Sequence, residues 1–178
     1  MTTHTLVALV EDKPGVLNQI ASLIRRRSFN IDSIAVGHSE LPGLSWMTIL
    51  VNGTTTAVEQ VRKQLEKVVE VVKVSDITEE RMVARELALI KVHAASASRA
   101  EIALLVDIFR GKIVDVSPDS LMIEVTGDEE KIDSLYKLLK KFTVLELART
   151  GRVALSRGDS TDAEERMRGR SVRRAASG

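Results

Sequence analysis

The 178-residue sequence has no cysteine and few aromatic side chains, which make up 3% of its residues. Without thiols the protein can have no disulfide framework, thiolate zinc site or cysteine nucleophile, and the composition suits a reducing cytoplasm. There is also little excess charge, because 26 Lys and Arg oppose 25 Asp and Glu. No global field therefore steers the protein onto nucleic acid or an anionic membrane, and partners must be recognised locally.

Long apolar runs are absent as well. No stretch approaches the ~20 apolar residues that span a bilayer, and the first residues are not a basic patch followed by an apolar run. We therefore expect a protein that does not enter a membrane and stays in the cytoplasm. The hydrophobic share of 44% is enough for one ordinary domain or two small ones.

The residues that catalysis or metal binding would need are scarce. His4, His38 and His93 are scattered without the spacing of metal ligands, and no nucleophile stands beside a base. We expect no catalysis by this chain alone, no metal site and no cofactor of its own. Trp46 is the single aromatic residue in the strands predicted for the first half, which disfavours base stacking on a sheet and favours a core or interface role.

What the sequence does contain is alternating strand and helix periodicity. In the first half the predicted elements are a strand at Thr5–Glu11, a helix carrying Val16, Leu17, Ile20 and Ile24, strands at Asn30–Ser39 and Ser45–Asn52, a helix carrying Val58, Val61, Leu65 and Val68, and a strand at Val71–Ser75. This β-α-β-β-α-β order is typical of the ferredoxin-like fold, in which two helices cover one face of a four-stranded antiparallel sheet.

The same order begins again after the charged stretch Thr78–Arg85. The second set of predicted elements is a strand at Glu86–Ala94, a helix carrying Ile102, Leu105, Val106 and Phe109, strands at Lys112–Val116 and Leu121–Thr126, a helix carrying Ile132, Leu135, Leu139 and Phe142, and a strand at Val144–Ala148. The sequence therefore predicts an α+β protein with two tandem ferredoxin-like βαββαβ domains, at residues 4–78 and 84–157. The remainder, residues 158–178, reads as a disordered tail, because its acidic residues dilute its arginines and favour a solvated segment over an RNA-binding arm.

The turn Asp12-Lys13-Pro14-Gly15 joins the first predicted strand to the first helix. Glycine lets the backbone come close to a ligand, and the first free N–H groups of the helix form an anion site that suits a carboxylate. Asp12 is placed to meet an ammonium group, and Asn30 offers both a donor and an acceptor to the polar end of a ligand. The competing interpretation is structural: Pro14 starts the helix and Gly15 relieves a tight turn.

These residues resemble the ACT family of amino-acid-sensing domains, whose first turn carries Asp or Asn, then Pro-Gly or a lone Gly, then an apolar pair. Further segments are similar to the small regulatory subunits of acetolactate synthase, in the same order and from about residue 4 to 158. The similar segments are Leu9–Leu17, Phe29–Ile34, Met47–Ile49, Phe109–Val116 and Arg149–Gly158. A lone turn would be a weak signal, whereas these segments together span both predicted domains.

The resemblance implies a non-catalytic subunit that activates a thiamine-diphosphate-dependent large subunit and confers feedback inhibition by valine, or by leucine or isoleucine, in branched-chain amino-acid biosynthesis. Thiamine diphosphate and Mg, with FAD left open, are implied for the large catalytic subunit and not for this chain. A homodimer that binds the effector between two ACT domains is implied as well. The effector-binding residues carried over are Asp12, Gly15, Val16, Leu17, Asn30 and Ile31.

One alternative is a free-standing amino-acid-sensing ACT regulator that acts on a different protein partner. A nucleic-acid version of it has no support, because the sequence contains no helix-turn-helix pattern and no basic stripe. In the second domain the segment Ala94–Arg99 replaces the Pro-Gly turn. We therefore expect that domain to bind no amino acid and to contact the large subunit instead.

Overall fold

Strands and helices alternate through the first half of the computed structural model, which describes residues 2–26 and 29–158. The elements are β1 (Thr2–Glu11), α1 (Val16–Arg26), β2 (Ile31–His38), β3 (Leu44–Gly53), α2 (Thr55–Leu65) and β4 (Val71–Asp76). The four strands form an antiparallel sheet in the order β2-β3-β1-β4, which is the predicted ferredoxin-like arrangement. The strand β1 therefore lies inside the sheet, and β2 lies at one edge.

Alternation along β1 builds the first core. Leu6, Ala8 and Val10 pack in one buried cluster with Ile20 and Ile24 of α1. Successive strand residues point to opposite faces, and helix residues four apart share a face, so these positions meet between sheet and helix. The helix periodicity that the sequence shows is confirmed here.

The sequence did not predict a short strand, β9 (Val153–Ser156), which is hydrogen-bonded to residues of β3 in the first sheet. The Ala154 amide donates to Thr48 Oγ1 over 3.3 Å, and Trp46 Nε1 donates to the Ala154 carbonyl over 3.4 Å. Met47 and Ile49 of β3 point into the buried cluster. Side chains alternate along a strand, so Trp46 and Thr48 lie on the opposite face of the sheet. Trp46 thus fixes backbone from the far end of the chain.

The second half repeats the order. Its elements are β5 (Met82–His93), α3 (Arg99–Ile108), β6 (Lys112–Val116), β7 (Ser120–Gly127), α4 (Glu129–Leu139), a short 3₁₀ helix (Lys140–Phe142) and β8 (Val144–Arg149). The strand order is β6-β7-β5-β8, with β9 also paired to β5. A second buried cluster lies between this sheet and its helices, with Ile90, Ile102, Val106 and Ile132 fully or almost fully buried. Both predicted ferredoxin-like sheets are confirmed.

Several predicted strand boundaries were wrong, and β1 begins at Thr2 and not at Thr5. The strand β5 begins at Met82 and not at Glu86, because β9 supplies a backbone partner from distant sequence, and next to it the Arg157 amide donates to the Arg81 carbonyl over 2.7 Å. The strand β2 begins at Ile31, so Asn30 lies just outside it. Local pattern could not show either fact.

The described chain divides into two compact units. One contains the residues up to Val83 together with those from Ala154 onward, and the other contains Ala84–Val153. The predicted tail, residues 158–178, lies outside the described residues except for Gly158. Within residues 2–26 and 29–158, no helix is long and apolar enough to cross a membrane.

Candidate functional site

The turn between β1 and α1 is held in one shape by its backbone. Gly15 has a φ of +91°, in the left-handed region that favours glycine, and a Cβ built on it would meet nothing within 4 Å. The Asp12 amide donates to the Gly43 carbonyl over 2.8 Å, which ties the turn to the hairpin between β2 and β3. Glycine is therefore needed for the backbone angle and also leaves open space above the turn.

The first turn of α1 offers backbone N–H groups to a ligand. Among the described residues, the amides of Gly15, Leu17 and Asn18 have no hydrogen-bond acceptor, whereas Gln19 donates to the Gly15 carbonyl over 2.9 Å. The first turn carries no acidic side chain, and Arg25 and Arg26 lie in the last turn. The positive end of the helix dipole is thus not compensated within the helix, which is the arrangement that binds a carboxylate.

Asp12 lies beside this helix end and has a partner that the sequence did not reveal. Its Oδ2 is 3.3 Å from Nδ1 of His38, the last residue of β2, and the pair is ionic when His38 is protonated. Both side chains are exposed, His38 to 85% and Asp12 to 49%, so a ligand ammonium group can still reach the carboxylate. The Pro-Gly turn between β2 and β3 fixes the register in which His38 pairs with Ser45. That turn is the feature of the sequence from which the position of His38 near Asp12 could have been predicted.

The apolar members of the predicted site differ in accessibility. Val16 is 4% exposed and packs into the first core, so its side chain is not open to a ligand. Leu17 is 48% exposed beside the turn. Ile31 is partly buried and packs against the first core from the start of β2. Of these three side chains, Leu17 is therefore the one most available to a bound side chain.

Asn30 is exposed and held by a chain of polar contacts. Its Nδ2 donates to Asp32 Oδ1 over 2.9 Å, and Asn52 Nδ2 donates to the other carboxylate oxygen of Asp32 over 2.5 Å. Thr3 Oγ1 in turn donates to Asn52 Oδ1 over 2.8 Å. This contact orients the amide group of Asn30, whose carbonyl oxygen can accept a hydrogen bond. Asp32, Asn52 and Thr3 support Asn30, and the sequence reading did not include them.

Within one chain the two parts of the predicted site are far apart. Ile31 pairs with Val51, which pairs with His4 near the start of β1, whereas Glu11 at the other end of β1 pairs with Leu44. Seven residues of strand separate His4 from Glu11, which corresponds to roughly 23 Å. Asn30 and the turn at Gly15 therefore lie at opposite ends of the sheet, and one chain does not bring them together.

The second unit has a turn of the same construction, but it is closed. The Ala94 amide donates to the Asp119 carbonyl over 2.8 Å, as Asp12 does to Gly43 in the first unit. Here Arg99, at the start of α3, lies across the turn: its Nε donates to the Ala94 carbonyl over 3.2 Å, and its Nη2 donates to the carbonyls of Ser117, over 2.5 Å, and Pro118. A guanidinium thus lies across the turn of the second unit, whereas a Cβ at Gly15 in the first unit would meet nothing within 4 Å.

The described residues contain no group of three or more His, Cys, Asp or Glu side chains that could hold a metal ion. His4, the most buried histidine, pairs through Nδ1 with Asp76 Oδ2 over 2.8 Å and has no nucleophile as a partner. The arrangement that remains is an open helix N-terminus with an acidic side chain beside it. An uncompensated helix N-terminus attracts an anionic group, and a carboxylate beside it attracts a cationic one.

Comparison with known proteins gives this arrangement a class. Residues 6–73 match the family described as the AHAS small subunit-like ACT domain, and residues 85–158 match the family described as the small subunit of acetolactate synthase. The first unit is therefore an ACT domain, and the second is the C-terminal domain that accompanies it in this family.

Whole-chain relatives agree. The probable acetolactate synthase small subunit of Methanothermobacter thermautotrophicus is 54% identical over 160 residues, covering 89% of this chain and 95% of the relative, and the acetolactate synthase small subunit of Mycobacterium bovis is 49% identical over 156 residues, covering 88% and 93%. The crystal structure of the acetolactate synthase small subunit from Thermotoga maritima superposes with a TM-score of 0.82 at 47% identity, over 89% of this chain and 99% of that one. The chain belongs to the acetolactate synthase small-subunit family.

Proposed function

We propose that this chain is the non-catalytic regulatory subunit of an acetolactate synthase, which activates the large catalytic subunit and makes it sensitive to valine or another branched-chain amino acid. Thiamine diphosphate, Mg and any FAD belong to the large subunit in this proposal, and this chain binds none of them. The observation that carries the proposal is the uncapped first turn of α1 behind Gly15, in a chain whose whole described length matches small subunits of that enzyme.

A homodimer resolves the separation between Asn30 and the turn. Among the described strands, β2 lies at one edge of the first sheet, and edge strands readily pair with a second chain. Antiparallel pairing of β2 with its copy puts the start of one strand beside the end of the other. Asn30 of one chain then lies near His38 of the second copy, and His38 contacts Asp12 within its own chain. Two copies thus complete a site that one chain leaves in two parts.

In this site the free amides of Leu17 and Asn18 bind the effector carboxylate, and Asp12 binds its ammonium group. Asn30 from the other copy, oriented by its hydrogen bond to Asp32, accepts a hydrogen bond through its carbonyl oxygen. Leu17, which is half exposed, contacts the branched side chain. Discrimination among valine, leucine and isoleucine is modest in such a pocket, because one methylene contributes only about 1 to 3 kcal/mol.

Regulation then requires only that the effector binds two arrangements of the dimer with different affinity. A ligand that spans two chains stabilises the arrangement in which both halves of the site are close together. The population shifts toward that arrangement, with a typical coupling of about 1 to 3 kcal/mol. The large subunit responds to the change in the dimer and does not need to touch the effector.

The test is effector binding and inhibition in two site variants. Isothermal titration calorimetry of the purified chain with valine, leucine and isoleucine measures binding, and acetolactate formation by the reconstituted large subunit measures activation and inhibition. We expect Asn30→Ala and Gly15→Asp each to abolish inhibition and retain activation. Gln60→Ala, which truncates an exposed carboxamide on α2, is the matched control and should behave like the parent.

Three outcomes would each contradict a different part of the proposal. Unchanged inhibition in both site variants would remove the effector site but leave the subunit role. No activation of a large subunit by the parent chain, and no recovery of one by this chain from cell extract, would remove the subunit role and favour a free-standing amino-acid-sensing regulator. Robust acetolactate formation by the chain alone would contradict the non-catalytic role.

A further inference from the structure

In the part of the chain that the structure describes, the second sheet also ends in an edge strand. The strand β6 lies at the end of the strand order, and all five of its residues, Lys112–Val116, are exposed. Ile113, Val114 and Val116 are among the large apolar side chains that remain accessible. An exposed apolar edge strand presents free backbone donors and acceptors to any other strand, and folded proteins usually cover or charge such edges.

The helix beside this edge has an apolar outer face. Leu104 and Ile108, one turn apart on α3, are 60% and 63% exposed. Their neighbours Ile102 and Val106 are buried in the second core, so Leu104 and Ile108 point away from it. The helix and β6 are in contact, so the exposed apolar residues lie on two neighbouring elements of the second unit.

The first unit shows that the fold does not require this apolar surface. Ile20 and Ile24 of α1 are buried as Ile102 and Val106 of α3 are, so Ser22 and Arg26 of α1 occupy the positions of Leu104 and Ile108. Ser22 is polar and Arg26 is charged, whereas Leu104 and Ile108 are apolar. A partner for the surface on the second unit accounts for this difference.

Register determines which side chains of β6 share a face. Lys112 pairs with Glu124 and Asp115 pairs with Met122, two residues away on β7, because the register shifts between Ile113 and Asp115. Residues two apart on a strand share a face, so Lys112 and Asp115 lie on one face of the sheet. Ile113 pairs with Ile123, whose side chain is in the second core, and therefore lies on the face that the helices cover.

We propose that β6 and the outer face of α3 bind the same surface of a second copy of this chain. Antiparallel pairing about a two-fold axis between Ile113 and Val114 places Lys112 of each copy opposite Asp115 of the other. Opposite charges then meet twice on one face. On the other face Ile113 and Val114 of the two copies meet, and the outer faces of the two α3 helices come together.

The second copy is the occupant because the charge order fits its own reverse. A two-fold interface must be self-complementary, and a strand with one Lys and one Asp at these positions satisfies that condition. Cross-strand opposite charges and apolar pairs both stabilise antiparallel pairing. This interface involves the second unit alone, so it does not depend on the effector site or on the pairing of β2.

Disulfide cross-linking of the full chain tests the proposal directly, because the natural sequence has no cysteine. In the proposed register the two Val114 Cα atoms are about 6 Å apart, within the range that a disulfide spans. We expect oxidised Val114→Cys to form covalent dimer at roughly ten times the yield of Val69→Cys, a control at a site that is 71% exposed in the first unit. Equal yields for the two variants would overturn the proposal, and a cross-link to a foreign protein in extract would assign the surface to another partner.

Charge reversal provides a second, independent readout. In the Val114→Cys background, Lys112→Glu and Asp115→Lys each create two like-charged pairs, so each should lower the cross-linking yield about tenfold. A mixture of these two reversed chains restores opposite charges at both contacts, and cross-linked heterodimer should recover. Failure of the mixture to recover would contradict the register. Valine inhibition of the same variants, measured in parallel, reports on the effector site separately.

Discussion

Replacement of Arg99 tests how much its hydrogen bonds across the turn stabilise the second unit. Its guanidinium donates to the carbonyls of Ala94, Ser117 and Pro118, and so ties the start of α3 to the hairpin between β6 and β7. The change Arg99→Met keeps the aliphatic stem and removes all three hydrogen bonds. The change Arg99→Lys keeps the charge as a single point that cannot fork to carbonyls on two segments.

The magnitude follows from the partial burial of Arg99. Hydrogen bonds to a charged group are each worth about 1.5 to 3 kcal/mol when buried, but here water can reach the freed carbonyls. We therefore expect Arg99→Met to lower the free energy of unfolding of the second unit by about 2 kcal/mol, and Arg99→Lys by about half as much. With a urea dependence of about 1 kcal/mol per molar for a unit of this size, the midpoints fall by about 2 M and 1 M.

The chain has one natural probe in each unit, because its single Trp is Trp46 in β3 and its single Tyr is Tyr136 in α4. Trp46 fluorescence follows the first unit during urea unfolding, and the near-ultraviolet circular dichroism of Tyr136 follows the second. The Tyr136 midpoint should fall in the order Lys, then Met, with little change at Trp46. A Met variant whose Tyr136 transition coincides with that of the parent would refute the bracing role of Arg99.

Two further predictions concern the first unit. A methyl group at Gly53 would overlap the Phe29 ring, so Gly53→Ala should lower the free energy of unfolding in urea by about 1 to 3 kcal/mol. A methyl group at Gly37 would meet nothing within 4 Å, so Gly37→Ala should be near neutral. Equal urea midpoints for the two variants would contradict this prediction. The hydrogen bond from Arg62 lowers the pKa of Glu59 from 4.5 to about 2. The contribution of the Glu59–Arg62 ion pair to stability is therefore present above the unfolded pKa of Glu59 and lost as pH falls through about 2. In Arg62→Met, the pKa of Glu59 measured by NMR titration should rise toward 4.5. An unchanged pKa would refute the role of Arg62.

Apolar periodicity was enough to predict both ferredoxin-like sheets. Ile20 and Ile24 in α1, and Ile102 and Val106 in α3, are four residues apart and share a helix face, and each pair is buried as expected. The turn at Gly15 could also be predicted from the sequence, because few residue types other than glycine adopt a left-handed backbone conformation. These features are local, and local patterns are what a sequence displays directly.

The features that the sequence did not show depend on long-range pairing. Nothing near Ala154 indicates that its amide meets Thr48, about a hundred residues away in the chain. The support of Asn30 by Asp32 and Asn52 likewise needs the register of β2 against β3. His38 reaches Asp12 only after the hairpin has folded back. Local propensity is silent on such contacts, because they join segments that are distant in sequence.

The route of the chain has a consequence for synthesis. Because the first unit needs Ala154, the second unit is an insertion within it, and the chain passes from one unit to the other twice. Trp46 and Thr48 form their hydrogen bonds to Ala154 only after about seventy residues beyond Val83 have been synthesised. Products that end before Ala154 therefore lack the two hydrogen bonds that join this residue to Trp46 and Thr48.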